Sequence, residues 1–121
     1  MKKYEVEFFE EENGDCPIAK WLSSLNNTNS KESKSMLKKV YFQIERLEYE
    51  GISVGEPIVK KLDANIWELR PIPNRILFGI MKGNKIVLLH HFRKKSRKTP
   101  KNDIEKAKRE YKNWLNRGEN K

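Results

Sequence analysis

Two stretches of this 121-residue chain, Arg75-Ile76-Leu77-Phe78-Gly79-Ile80-Met81 and Ile86-Val87-Leu88-Leu89-His90-His91-Phe92, are apolar at almost every position. Between them lies Lys82-Gly83-Asn84, which has the turn chemistry of a β-hairpin. A strand with one face in water alternates apolar and polar residues. These two do not, so they read as central strands of a sheet covered on both faces. The rest of the chain must then supply neighbouring strands and the cover.

Ile66-Trp67-Glu68-Leu69-Arg70 reads clearly as a strand, stopped by Pro71 and Pro73, and Ile58-Val59-Lys60-Lys61-Leu62 reads as a weaker one. Short links between these segments favour an antiparallel meander. Tyr4-Glu5-Val6-Glu7-Phe8-Phe9 alternates apolar and acidic residues and predicts a further strand. After Asn13-Gly14, Asp15 is a candidate N-cap with Pro17 in the first turn, and Ile18, Trp21, Leu22 and Leu25 recur at helical spacing. Ser30 is the candidate cap of a longer helix with an apolar stripe of Met36, Leu37, Val40, Tyr41, Ile44 and Leu47, closed by Gly51. Two such helices in succession read as a helical hairpin whose stripes need a sheet. Thr99 is a candidate N-cap before Pro100, and Ile104, Ala107, Tyr111 and Leu115 recur along a last helix closed by Gly118. The predicted class is α+β: an antiparallel sheet of three to five strands, an N-terminal helical hairpin and a basic C-terminal helix. No repeat or linker divides it, so residues 1–121 are expected to form one domain.

Cys16 is the single cysteine, which excludes an internal disulfide and a thiolate metal cluster built from one chain, and suits a reducing compartment. No apolar run approaches a membrane span, and Met1-Lys2-Lys3-Tyr4-Glu5 lacks the apolar core of a signal peptide, so the expected location is the cytoplasm. Charge is polarised along the chain. Residues 1–50 carry 8 Lys/Arg against 10 Asp/Glu, residues 51–92 carry 6 against 3, and residues 93–121 carry 12 against 4. Because fields are screened within about 8–10 Å, this distribution points to a polyanion or an acidic partner at one end of the molecule. A solvated lysine-rich helix is the plainer explanation.

The sequence has no Gly-rich phosphate loop, no Cys/His metal spacing and no Gly-x-Ser-x-Gly elbow; no metal or cofactor is expected. Cations instead gather at strand ends and the loop beyond: Lys60, Lys61, Arg70, Arg75, His90, His91, Arg93, Lys94, Lys95, Arg97 and Lys98. Strand alternation puts Glu68 and Arg70 on one face and Trp67 and Leu69 on the other, and puts His90 and His91 on opposite faces. For the arginines the structural alternative is a rim ion pair with Glu68 or Asp63; for Trp67 it is a core or interface position. The chemistry that suits a cationic site is RNA cleavage by the 2′-hydroxyl, since substrate supplies both nucleophile and leaving group. The protein then neutralises the phosphorane-like transition state and moves protons. Arginine forks match phosphate geometry, and a lysine or histidine with a neighbour-shifted pKa can transfer a proton.

The run Ile66-Trp67-Glu68-Leu69-Arg70, then Arg75-Ile76-Leu77-Phe78, then Leu88-Leu89-His90-His91-Phe92-Arg93-Lys94-Lys95-Ser96-Arg97-Lys98-Thr99-Pro100, with Ile104, Ala107 and Lys108-Arg109 after it, resembles the phage-derived Gp49-like branch of HigB toxins in the RelE/ParE superfamily. His91 departs from a frequent glycine and Ser96 from a frequent threonine. The resemblance implies a twisted antiparallel sheet packed on the N-terminal hairpin. It implies a toxin that cleaves mRNA on the ribosome and is neutralised by a helix-turn-helix, HigA-like antitoxin, with which it can form a heterotetramer. It implies Arg70 and Arg75 as phosphate or transition-state binders, and Lys95 and Lys98 as backbone contacts or proton-transfer groups. His90 matches the family histidine, while Lys60, Lys61, His91, Arg93, Lys94 and Arg97 would bind RNA. The competing readings are a ParE-like DNA gyrase poison that cleaves nothing and a basic nucleic-acid-binding protein without activity.

Overall fold

A computed structural model describes residues 1–119; the last two residues of the expected 1–121 domain lie outside the described residues. In chain order the elements are β1 (Glu5–Phe8), α1 (Pro17–Asn26), α2 (Lys31–Glu50), a 3₁₀ turn at Gly51–Val54, β2 (Val59–Lys61), β3 (Ile66–Leu69), β4 (Asn74–Met81), β5 (Lys85–Arg93) and α3 (Lys101–Glu119). The sheet order is β1-β5-β4-β3-β2. β2 to β5 form the expected antiparallel meander. The sheet as a whole is mixed, because β1 pairs parallel with β5, Val6 opposite Ile86. The chain leaves β1 through the helical hairpin, enters the sheet at the far edge as β2, and returns through the meander to β5, a connection far longer than the tight turn that joins antiparallel neighbours.

The two apolar strands are central, as their composition requires. Ile76, Phe78, Ile86 and Leu88 face one way and pack with Ile18 and Leu22 of α1 and Val40, Ile44 and Leu47 of α2. Leu77, Val87 and Leu89 face the other way, with Ile66, Phe9 and Ala107 of α3. Helices therefore cover both faces. Phe78 is fully buried, so truncating it to alanine would cost roughly 3–5 kcal/mol through lost transfer energy and the cavity left behind.

Local signals account for most boundaries. Ser30 caps α2 by accepting from the Ser33 amide at 3.2 Å. Gly51 stops that helix at φ 59°, and a β-carbon there would meet the Tyr4 ring. Gly83 and Asn84 both take positive φ at the strand reversal, the backbone region these residues tolerate best. Three cap expectations fail. Cys16, not Asp15, precedes α1 and makes no side-chain cap; Asp15 is drawn off by Lys20 and Asn13. Gly118 does not close α3, which runs on to Glu119. Thr99 turns its hydroxyl to the sheet rather than to the helix.

One irregularity matters for function. Leu77 pairs with His90 but Phe78 pairs with Leu88, so Leu89 is an extra residue, a β-bulge. It resets the alternation of β5 from that point to the strand end.

Candidate nucleic-acid interface

The end of β3, the start of β4 and the end of β5 lie side by side, and on the α3 face they converge on one carboxylate. Glu68 is 1% exposed. Arg70 Nε donates to its Oε2 at 3.2 Å, and Thr99 Oγ1 donates to its Oε1 at 2.6 Å. Arg75 Nε lies 3.4 Å from Oε1, close enough for ion pairing but not aligned as a hydrogen bond. Its Nη1 donates to the Asn74 carbonyl at 2.9 Å. Arg75 is only 8% exposed, and desolvation followed by the neighbouring Arg70 lowers its pKa while Glu68 opposes them; an arginine remains cationic under such pressure. A buried carboxylate thus holds two guanidiniums that would otherwise repel each other.

Lys94 completes the group. Its amide donates to the Pro73 carbonyl at 3.0 Å, extending the ladder one residue past β5. Its ammonium is pushed below the ordinary lysine range, first by partial desolvation, then by Arg75, with Arg70 and Lys60 adding and Glu68 opposing. Arg75, Lys94, Lys95, Ser96 and Arg97 line an open depression of about 510 Å³ together with Ile72 and Pro73. The link carrying Ile72 is pinned from α2: Gln43 Nε2 donates to the Arg70 carbonyl at 3.1 Å and Lys39 Nζ to the Ile72 carbonyl at 3.0 Å. What this arrangement can do is bind an anion with planar forks and a point charge together.

The family model described as Phage derived protein Gp49-like (DUF891) matches residues 20–112. The chain belongs to this Gp49-like family. The match takes in Lys60, Glu68, Arg70, Arg75, Lys94 and Thr99, so the cationic cluster sits inside the family region. No match was found among curated proteins. Among solved structures, a chain of the archaeal RelE-RelB complex from Pyrococcus horikoshii OT3 is similar with a TM-score of 0.56 and 19% identity, over 79% of this chain and 99% of that one. At that identity the likeness concerns the fold, which is RelE-like, as the sequence resemblance implies.

The Gp49-like fold brings only part of the expected site together. Arg70, Arg75 and Lys94 share the α3 face, and Lys60, opposite Glu68 in register, joins them. Lys95 and Arg97 line the depression from exposed positions. Lys98 is exposed, its carbonyl accepting from Ser96 Oγ at 2.9 Å. Lys61 lies on the other face, its ammonium 5.5 Å from the centre of the Trp67 ring. His91 is also on that face, stacked on Trp21 at 4.5 Å, and burial followed by the charges of His90 and Lys106 pushes its pKa down to about 4. Arg93, opposite Asn74, precedes Lys94 on the contrary face. His90 is on the α3 face, but its Nε2 is engaged by Asp103 at 2.7 Å. Burial lowers its pKa more than that carboxylate restores it. Among the described residues no group of three His, Cys, Asp or Glu is placed to hold a metal, and no helix is long and apolar enough to cross a membrane.

Sequence reasoning treated Glu68 only as a partner for a rim arginine, whereas it organises the cluster. The available signal was an acidic residue inside an otherwise apolar strand, two residues before an arginine. Thr99 and Asp103 gave no such signal, since Thr99 reads equally well as a helix N-cap and Asp103 as a first-turn acid.

Proposed function

We propose that this Gp49-like protein is the toxin of a type II toxin-antitoxin pair and acts as a metal-independent endoribonuclease on ribosome-bound mRNA, through the RNA 2′-hydroxyl. The observation that carries this reading is the cluster of Arg70, Arg75 and Lys94 around buried Glu68 beside an open depression. Cleavage by the 2′-oxygen needs charge neutralisation at one phosphate and proton movement at two oxygens. Arg75, desolvated and short of a hydrogen bond at Nε, is suited to the developing negative charge. Arg70 supports it from the same carboxylate, while Lys95, Arg97 and Lys98 grip the backbone on the exposed side. Lys94, whose pKa is lowered by partial desolvation and by Arg75, stands with His90 as a proton-transfer candidate, although the hold of Asp103 on His90 Nε2 leaves that ring only Nδ1 for such a role.

The partners in this reading are a helix-turn-helix antitoxin of the HigA kind, able to form a heterotetramer, and mRNA in the cytoplasm. The structural neighbour was solved as a complex with RelB, which supports a protein partner for this chain. The test is controlled expression with mapping of RNA 5′ ends. New ends in translated messages, absent with Arg75→Ala, are expected. Intact messages accompanied by DNA damage would replace this reading with the ParE-like one, and salt-sensitive RNA binding without cleavage would leave an inactive binding protein.

A further inference from the structure

The depression beside Arg75 is lined by two unlike kinds of side chain: cationic ones from Arg75, Lys94, Lys95 and Arg97, and apolar ones from Ile72 and Pro73. Ile72 is 58% exposed. A scattered exposed isoleucine needs no explanation, but this one is held out by its surroundings. The Ile72 amide donates to the Arg70 carbonyl at 3.0 Å and the Asn74 amide to the Pro71 carbonyl at 2.9 Å. Lys39 bonds the Ile72 carbonyl from α2, and the Pro73 carbonyl accepts from Lys94. Prolines on both sides fix φ and remove two amide donors. The result is a small apolar shelf whose backbone is already ordered, so little conformational entropy remains to be lost when something lies on it.

A nucleotide is a ligand with the same division: a dianionic or monoanionic phosphate at one end and a flat, largely apolar base face at the other. We infer that the Ile72–Pro73 shelf is a nucleobase subsite, which takes the base of the nucleotide whose phosphate is held by Arg75 and Lys94. The inference rests on the proposed RNA chemistry and deepens it by naming a residue that reads the base side of the substrate. The depression, at about 510 Å³, falls in the range of small-ligand sites. It is open to solvent on one side, as a site must be if a strand is to pass through it.

The experiment compares adenosine 5′-monophosphate with ribose 5-phosphate, two ligands with the same phosphate and sugar, titrated into the full chain and followed by calorimetry. The wild type should bind the base-bearing ligand about fivefold more tightly, about the effect of burying one further methylene's worth of apolar surface. Ile72→Ser, at an exposed position that the fold tolerates, should bring the two affinities to within about twofold. Arg75→Gln should weaken both ligands alike. Equal affinities in the wild type, absence of saturable binding of either ligand, or a preference that survives Ile72→Ser overturns the inference. If expressed protein cuts no RNA while the preference for the base persists, the cleavage reading fails and the nucleobase shelf stands. A wild type that cuts RNA but shows no preference separates the two the other way.

Discussion

Replacing Glu68 with glutamine removes one charge from the site and leaves its shape. The side chain is 1% exposed, and its partners Arg70 and Arg75 have side chains 18% and 10% exposed. Breaking a buried ion pair by deleting one member costs about 3–5 kcal/mol, because the surviving charge stays desolvated. Here both guanidiniums keep some access to water, so the loss is reduced to about 2–3 kcal/mol. The Thr99 contact subtracts little, since the glutamine carbonyl can still accept its hydroxyl, preserving about 1 kcal/mol. For a chain of this size the expected fall in Tm is roughly 10 °C. Urea unfolding followed by circular dichroism at pH 7 would measure the loss directly. The double substitution Glu68→Gln with Arg75→Gln should cost clearly less than the sum of the singles, since it removes an unpaired charge along with its partner. A Glu68→Gln loss within about 0.5 kcal/mol, or a strictly additive double mutant, would refute the view that the carboxylate holds the arginines together.

Other outcomes follow from the same contacts. The pKa of His91 is about 4 in the folded protein and that of His90 is also lowered, against about 6.5 in an unfolded chain. The unfolded state therefore binds more protons between those values, and stability should fall as pH drops from about 6.5 toward 4. Tm measured across that window should show the decline, and His91→Phe, which keeps the stack on Trp21, should flatten it. Glu110 titrates in the opposite sense: burial raises it to about 7, and its Oε1 has no hydrogen-bond partner. Its ionisation penalises the folded state as pH rises from about 4.5 to 7, so Glu110→Gln should raise Tm at pH 8 and leave it nearly unchanged at pH 4. Gly79 lies under the Tyr111 ring, where a β-carbon would overlap ring atoms; Gly79→Ala should cost about 1–3 kcal/mol in a denaturation curve, and Gly79→Ala combined with Tyr111→Leu should recover part of it.

How far the sequence could lead is clear from particular segments. The paired apolar runs at 75–81 and 86–92 required a two-sided cover, and α1–α2 and α3 provide it, because period-2 and period-3.6 patterns each have one physical solution here. The parallel placement of β1 was not legible: four alternating residues define a strand but carry no information about its direction. Caps were legible where one side chain had no rival, as at Ser30. They failed at Asp15 and Thr99, where other side chains engaged the capping group: Lys20 and Asn13 at Asp15, and buried Glu68 at Thr99. For the proposed site, residue types showed that cations gather at one end of the chain, and charge counts could not tell which of them share a face.

That last distinction depends on a single extra residue. Counted by simple alternation from Ile86, which faces the helical hairpin, residues 86, 88, 90, 92 and 94 would all share the hairpin face. His91 and Arg93 would then join the α3 face with Glu68. The bulge at Leu89 reverses this: His90 pairs with Leu77 and Phe92 with Arg75, so His90, Phe92 and Lys94 turn toward α3, while His91 goes to Trp21. Bulges re-aim side chains at the cost of one unpaired residue, and here Leu89 repays part of that cost by burying its side chain beside Leu77 and Ala107. The composition of the basic run Arg93–Lys98 makes this end of the molecule cationic. The parity set by Leu89 explains why Lys94, among five cations in that run, is the one drawn into the field of Arg70, Arg75 and Glu68.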